Sequence, residues 1–176
     1  MGLRLLTGLS LLNRRIMKWI NEPNHSHFFY RDYECRIVRH PVLGTLCGYV
    51  KIPTTHPYHA KNYNDIDIDV HGGLTFGDNL NNVSKAYEIQ LDDGFWLGFD
   101  CAHYNDIRPY DINPDCMGKG LDFIDKLINS IDKLNDLIHE KKVTKSYKDF
   151  DFVTHELKSM VDQLIKAESI IKHEVD

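Results

Sequence analysis

At 176 residues with a formal charge of −5 and a pI near 6.0, the chain has the length of one domain. It lacks the basic excess by which binders of duplex nucleic acid neutralise phosphates. A composition of 42% hydrophobic and 27% charged residues excludes the disordered and fibrous classes, and no stretch approaches the roughly 18–20 apolar residues of a membrane span.

Residues 1–16 stand apart. Leu3, Leu5, Leu6, Leu9, Leu11 and Leu12 precede Arg14 and Arg15, the reverse of a secretory signal, and Leu6 occupies the position where N-myristoylation requires Ser or Thr. We read 1–16 as a mobile, non-catalytic extension, with Met17 as an alternative start, and 17–176 as a single α+β domain. Cys35, Cys47, Cys101 and Cys116 are too sparse for a disulfide scaffold and contain no C-x-x-C pair. They read as buried thiols in a reducing, cytoplasmic setting.

From Tyr33 to Cys101 the dominant period is two. Cys35 to Val38 and Leu46 to Ile52 predict two strands joined by the turn His40-Pro41-Val42-Leu43-Gly44. Pro53 to Asn64 reads as a loop. Ile66, Ile68 and Val70 alternate with Asp65, Asp67, Asp69 and His71 and predict a third strand, which Gly72-Gly73 breaks and Leu74-Thr75-Phe76 continues. Tyr87–Leu91 and Phe95–Cys101 predict a hairpin around Asp92-Asp93-Gly94.

Beyond Asp106 the period becomes helical. Leu121, Ile124, Leu127, Ile128, Ile131, Leu134, Leu137 and Ile138 form one amphipathic stripe. Phe152, Val153, Leu157, Met160, Val161, Leu164 and Ile165 form a second, with Asp149 or Asp151 as its cap. A mainly antiparallel sheet of five to six strands followed by two helices defines an α+β domain.

The chemistry lies between His56 and Asp106. Asp65, Asp67, Asp69 and His71 share one strand face, as a solvated outer row, a hard-cation site for Mg²⁺ or Ca²⁺, or a surface that captures a partner protein. Gly72 and Gly73 let the backbone approach a ligand, although no helix follows to make a dinucleotide fold. The strand Trp96-Leu97-Gly98-Phe99 ends in Asp100, Cys101, His103 and Asp106, so functional groups cluster at its end. Asp100 and His103 are the catalytic candidates, Asp100 orienting His71 or His103 as an acid–base pair. His71, Asp100 and His103 are the candidate ligands of a divalent metal. Cys101 as a nucleophile would need His71 as its base.

The runs Cys35-Arg36-Ile37-Val38-Arg39-His40-Pro41, Leu46-Cys47-Gly48-Tyr49-Val50, His56-Pro57, Val70-His71-Gly72-Gly73-Leu74-Thr75-Phe76 and Trp96-Leu97-Gly98-Phe99-Asp100-Cys101-Ala102-His103 with Asp106 carry a resemblance. Together with the Tyr147–Leu164 segment they resemble a group of small proteins encoded by phages and bacterial mobile elements. The resemblance spans most of Tyr33–Leu164 and implies a phage accessory role without specifying a chemistry; residues 119–145 look like an added helix.

Three functions follow as expectations. In the first, Tyr49, His56, His71, Gly72, Gly73, Trp96, Asp100, His103 and Asp106 bind a small polar ligand such as a nucleotide, sequestering a host immune signal. The second is a metal-assisted or Asp/His acid–base hydrolase acting on a phosphate-containing small molecule. The third is an inhibitor of a host protein. The acidic row and the added helix each offer a seam for a homo-oligomer.

Overall fold

The computed structural model describes residues 18–79, 94–109 and 145–175. Five antiparallel strands, β1 (His25–Tyr30), β2 (Tyr33–Arg39), β3 (Leu46–Ile52), β4 (Phe76–Asn79) and β5 (Phe95–Asp100), form one sheet in the order β1-β2-β3-β5-β4. A single turn, α1 (Lys18–Asn21), precedes the sheet, and the long α2 (Phe150–Val175) crosses β3 and β2. The α+β class is as expected, but among the described residues one long helix covers the sheet where two were expected. The helix expected over 121–138, the strand expected over 87–91, Cys116 and residues 1–16 lie outside the described residues.

The pleat explains the core. Cys35 and Ile37 on β2, Leu46 and Val50 on β3, and Leu97 and Phe99 on β5 point to the same face. Val153, Leu157, Met160, Val161 and Leu164 of α2 are fully buried in that cluster. Each such side chain contributes about 1.5–3 kcal/mol before entropy is counted. Gly48 sets how closely the helix approaches, since a Cβ there would lie 2.8 Å from the Phe99 ring and 3.1 Å from Leu157.

Asp149 caps α2 by accepting the Phe152 amide at 3.0 Å, as one of the two expected caps. Burial pushes its carboxyl up, yet the Lys18 ammonium and the Phe152 amide outweigh this and hold it below the ordinary value. Glu22 satisfies a second helix amide, that of Phe150 at 3.1 Å. The other Glu22 oxygen accepts from Tyr147 Oη at 2.6 Å and from Arg39 Nη2 at 3.1 Å. Arg39 is 5% exposed and also donates to Gly44 O. This network joins the chain before β1, the β2–β3 turn and the start of α2.

Two findings depart from expectation. β1 is an edge strand that carries His25 and His27, and a two-residue turn joins it to β2 with Arg31 at φ 46° and Asp32 at φ 67°. Two successive left-handed residues define the hairpin turn that usually takes Asn-Gly. Residues 66–70, expected as a strand, belong to no strand and, among the described residues, pair with none. Ile66, Ile68 and Val70 do enter the core while Asp65, Asp67 and Asp69 face solvent. The Gln163 side chain stands in for a neighbouring strand, accepting from Asp69 N and donating to Asp69 O, both at 2.8 Å.

Left-handed backbone costs an L-residue about 1–2 kcal/mol, part of which glycine returns as unfolded-state entropy. Asp32→Gly is therefore expected to stabilise the protein by about 0.5–1 kcal/mol in denaturant unfolding. A loss of stability would contradict the turn geometry.

His40 supplies a pH dependence. Its Nδ1 accepts the amides of Val42 and Leu43, both at 3.2 Å, so this lone pair must stay free of a proton. Burial lowers its pKa below the ordinary value of 6.5, against the opposing pull of Asp100. As pH falls below about 6.5 the unfolded chain takes up this proton first, so the stability present at neutral pH is lost. His40→Asn keeps an acceptor in the turn and is expected to reduce the drop in thermal midpoint between pH 7 and 5.

Candidate functional site

Two loops meet beside the start of α2. The first is the turn after the extended segment, closed by Gly73 N donating to Val70 O at 2.9 Å. Gly72 and Gly73 have φ of 71° and 85°, the region glycine takes without penalty. A Cβ on Gly72 would fall 2.0 Å from two atoms of the His103 ring. Gly72 thus serves the site by letting His103 lie against the turn, while Gly73 meets nothing within 4 Å. The His71 amide donates to Glu156 Oε2 at 2.8 Å, and Phe152 sets its ring edge-on to the imidazole at 5.3 Å. Two side chains one turn apart on α2 therefore fix His71.

The second loop leaves β5. Asp106, 3% exposed, reaches back to accept the His103 amide at 2.9 Å through Oδ2. The same oxygen lies 2.8 Å from His71 Nε2 and 3.3 Å from His103 Nδ1. Among the described residues Oδ1 has no hydrogen-bond partner, and Lys148 Nζ comes only to 3.9 Å. The carboxylate is loaded on one oxygen and vacant on the other. Asp106 also forms a parallel bridge to Ser146, with Ile107 N donating to Ser146 O and Ser146 N to Asn105 O. That bridge brings Lys148 over the Phe152 ring at 4.8 Å.

The imidazoles of His71 and His103 stand edge to face with centroids 5.1 Å apart, their side chains 21% and 34% exposed. A buried carboxylate holding two half-open imidazoles is the arrangement that general acid–base catalysis uses. One nitrogen from each ring and an Asp106 oxygen all lie within 4.8 Å of one another, so the same residues offer a metal three donors.

Of the expected residues, the structure joins His71, Gly72, His103 and Asp106, with Gly73 in the supporting turn. Asp100 takes a different part. Its Oδ1 accepts the Ala102 amide at 2.9 Å, and Asp106 is the carboxylate between the histidines. The pleat is the reason, because Phe99 faces α2 and Asp100, opposite Cys47, faces away. Tyr49 and Trp96 lie on that far side in a separate cluster with Val38, Cys47 and Phe76. His56 is 3% exposed, its Nε2 donating to Leu164 O at 3.1 Å and its Nδ1 accepting from Tyr58 N at 3.0 Å, so both nitrogens are engaged structurally.

Burial pushes the Cys101 thiol far above its ordinary value, with nearby Asp106 adding to the effect, the opposite of an activated nucleophile. Cys35, Cys47 and Cys101 are buried and form no disulfide. A shallow groove of about 420 Å³ lies elsewhere, between Asp67, Asp69, Tyr58, Gln163 and Lys166. Lys148 and Glu156 were not legible as site residues. Glu156 falls one turn from Phe152 beside the apolar stripe, while Lys148 lies in an irregular segment with no periodicity to mark it.

Compared with known proteins, the chain matches no protein-family model, no curated protein and no solved structure. Among the described residues no helix is long and apolar enough to cross a membrane.

Gly72→Ala tests the construction of the site. The positive φ costs about 1 kcal/mol of stability. The part-exposed His103 ring is expected to swing off Asp106 to make room, which nitrogen-detected imidazole NMR would register as a changed His103 tautomer. An unchanged His103 signal would mean that the ring does not lie over Gly72.

Proposed function

We propose that the chain is a hydrolase acting on a phosphate-containing small molecule, with His71 and His103 as its acid–base pair and Asp106 holding both. The single observation that carries this reading is the Asp106 carboxylate, nearly closed to solvent yet contacting two half-open imidazoles. When the inward nitrogen of each ring donates to Asp106, the outward nitrogens, His71 Nδ1 and His103 Nε2, face the chemistry. One ring takes the proton of an attacking water while the other, in its protonated form, gives one to the departing oxygen. An anionic substrate is favoured by the cations around the centre: Lys148 beside Asp106, Lys145 next to Ser146, and Arg108 two residues beyond Asp106.

Tyr104 supports a nucleotide as the phosphate bearer. It is 78% exposed, adjoins His103 and has Lys145 Nζ 5.5 Å from its ring centre, a platform on which a base can stack. That platform also favours a second reading, a phage accessory protein that binds and sequesters a host immune nucleotide without turning it over. The two differ in what His103 does. Its loss abolishes turnover under the first and leaves Tyr104 with the main part in binding under the second.

The test is a panel of nucleotides, cyclic dinucleotides and simple phosphodiesters assayed for hydrolysis with the full chain. His103→Ala and Asp106→Asn are expected to lower kcat by about 10²–10⁴-fold. Asp100→Asn, whose side chain caps Ala102 and acts on His40 away from the two imidazoles, is expected to stay within a few-fold of the parent. No hydrolysis across the panel, or an Asp100 loss equal to that of Asp106, sinks the hydrolase; saturable nucleotide binding without hydrolysis moves the site to sequestration.

A further inference from the structure

We infer that His71, His103 and Asp106 bind one divalent transition-metal ion of the Zn²⁺ type; this rests on reading the site as a reactive centre, and in the metal-loaded form the two imidazoles act as ligands in place of an acid–base pair. The first observation is the donor set, two imidazole nitrogens and one carboxylate oxygen within 4.8 Å of one another. Zn–N and Zn–O bonds of about 2.0–2.2 Å place neighbouring ligand atoms about 3.3 Å apart in a tetrahedron. The distances of 2.8 Å and 3.3 Å from Asp106 Oδ2 to His71 Nε2 and His103 Nδ1 already lie near that edge length. Closing the set takes a slight retreat of His71 from Asp106 and an approach of the two imidazole nitrogens, which lie within 4.8 Å of one another.

The second observation is independent of spacing. Asp106 is 3% exposed, and its two oxygens are unequally used, with three donors on Oδ2 and, among the described residues, no hydrogen bond on Oδ1. A buried carboxylate oxygen without a partner leaves its desolvation uncompensated, so native structures rarely leave one idle. In the metal-bound form each imidazole moves its inward proton to its outer nitrogen and turns the vacated lone pair to the cation. The His103 amide remains on Asp106, and the carboxylate is free to tilt toward Lys148.

The imidazole pair selects the metal. Nitrogen ligands favour Zn²⁺ and its first-row neighbours over Mg²⁺ and Ca²⁺, which prefer all-oxygen shells. Three protein ligands leave a coordination position for water or a phosphate oxygen, as in catalytic rather than structural zinc sites. The supporting contacts also fit: Glu156 and Phe152 fix His71, and glycine at 72 admits the His103 ring.

The test uses the full chain freed of metal by chelator and then dialysed. Titration with Co²⁺ reads coordination from the visible absorption, and Zn²⁺ competition with a chromophoric chelator reads affinity. One equivalent is expected, with absorption intense enough for four- or five-coordination, weakened about a hundredfold or more in His71→Ala and in His103→Ala. Mg²⁺ at millimolar concentration is expected not to displace it. Both variants must keep the parent's circular dichroism; if His71→Ala does not, the part-exposed His103→Gln takes its place. No uptake of Co²⁺ or Zn²⁺ overturns the inference, as does uptake that both substitutions leave unchanged. Hydrolysis that survives in chelator with full rate overturns the metal and leaves the acid–base reading standing. Stoichiometric metal bound through these residues, with no hydrolysis in the panel above, supports the metal and removes the hydrolase.

Discussion

The Asp106 carboxylate ties together three stretches of chain that are remote in sequence. Through Oδ2 it holds the His71 turn and its own loop, and through its backbone bridge to Ser146 it holds the strand-like lead into α2. A carboxylate taken out of water costs several kcal/mol unless donors and countercharges replace the solvent. Here the replacements are one backbone amide, two imidazoles and an ammonium at the edge of contact. That cost is why the two loops have defined positions at all: every element that stabilises the buried charge is held in place by it. The helix contributes through Glu156 and Phe152, so packing of α2 on the sheet and geometry of the site are one arrangement.

How far this was legible in the sequence depends on what alternation reports. It reports burial, and where burial and pairing coincide, as in β2, β3 and β5, strand boundaries follow within a residue or two. They separate at Ile66–Val70, where the side chains alternate between core and solvent but the backbone partner is the Gln163 amide. They separate again at β1, which pairs fully with β2 yet leaves His25, His27 and Phe29 exposed, so its apolar signal is weak. Its turn is closed by Arg31 and Asp32, residues whose left-handed backbone no turn rule would assign from sequence. A strand made by its partner rather than by its own side chains is invisible to periodicity.

The site divides along the same line. The cluster of His71, Gly72, Gly73, His103 and Asp106 was visible because polar groups concentrated where strand-like alternation ended. Which carboxylate serves the histidines was not, because Asp100 and Asp106 differ in which side of the sheet they face, and that is set by the register of β5 on β3. The same register sends Tyr49 and Trp96 to the far cluster. His56 lies on the helix side but meets α2 at Leu164, eight residues past Glu156 and so about 12 Å along the helix axis. A sequence neighbourhood rich in imidazoles and aromatics therefore resolves into one compact site and several structural side chains.

Charge decides how the compact site is used. In the proposed acid–base pair one imidazole is protonated, so Asp106, Lys148 and that ring together sum to one positive charge. In the proposed metal-bound form the dication adds two positive units, and the Asp106 carboxylate, tilted toward Lys148 at 3.9 Å, opposes the repulsion on that ammonium seated on the Phe152 ring. The Lys148 side chain is 19% exposed and bonded to Ser146 Oγ, so it has a route to solvent and a partner outside the site. Under the proposed readings, metal occupancy and anion recognition both draw on Lys148, through its approach to Asp106 and through its own charge.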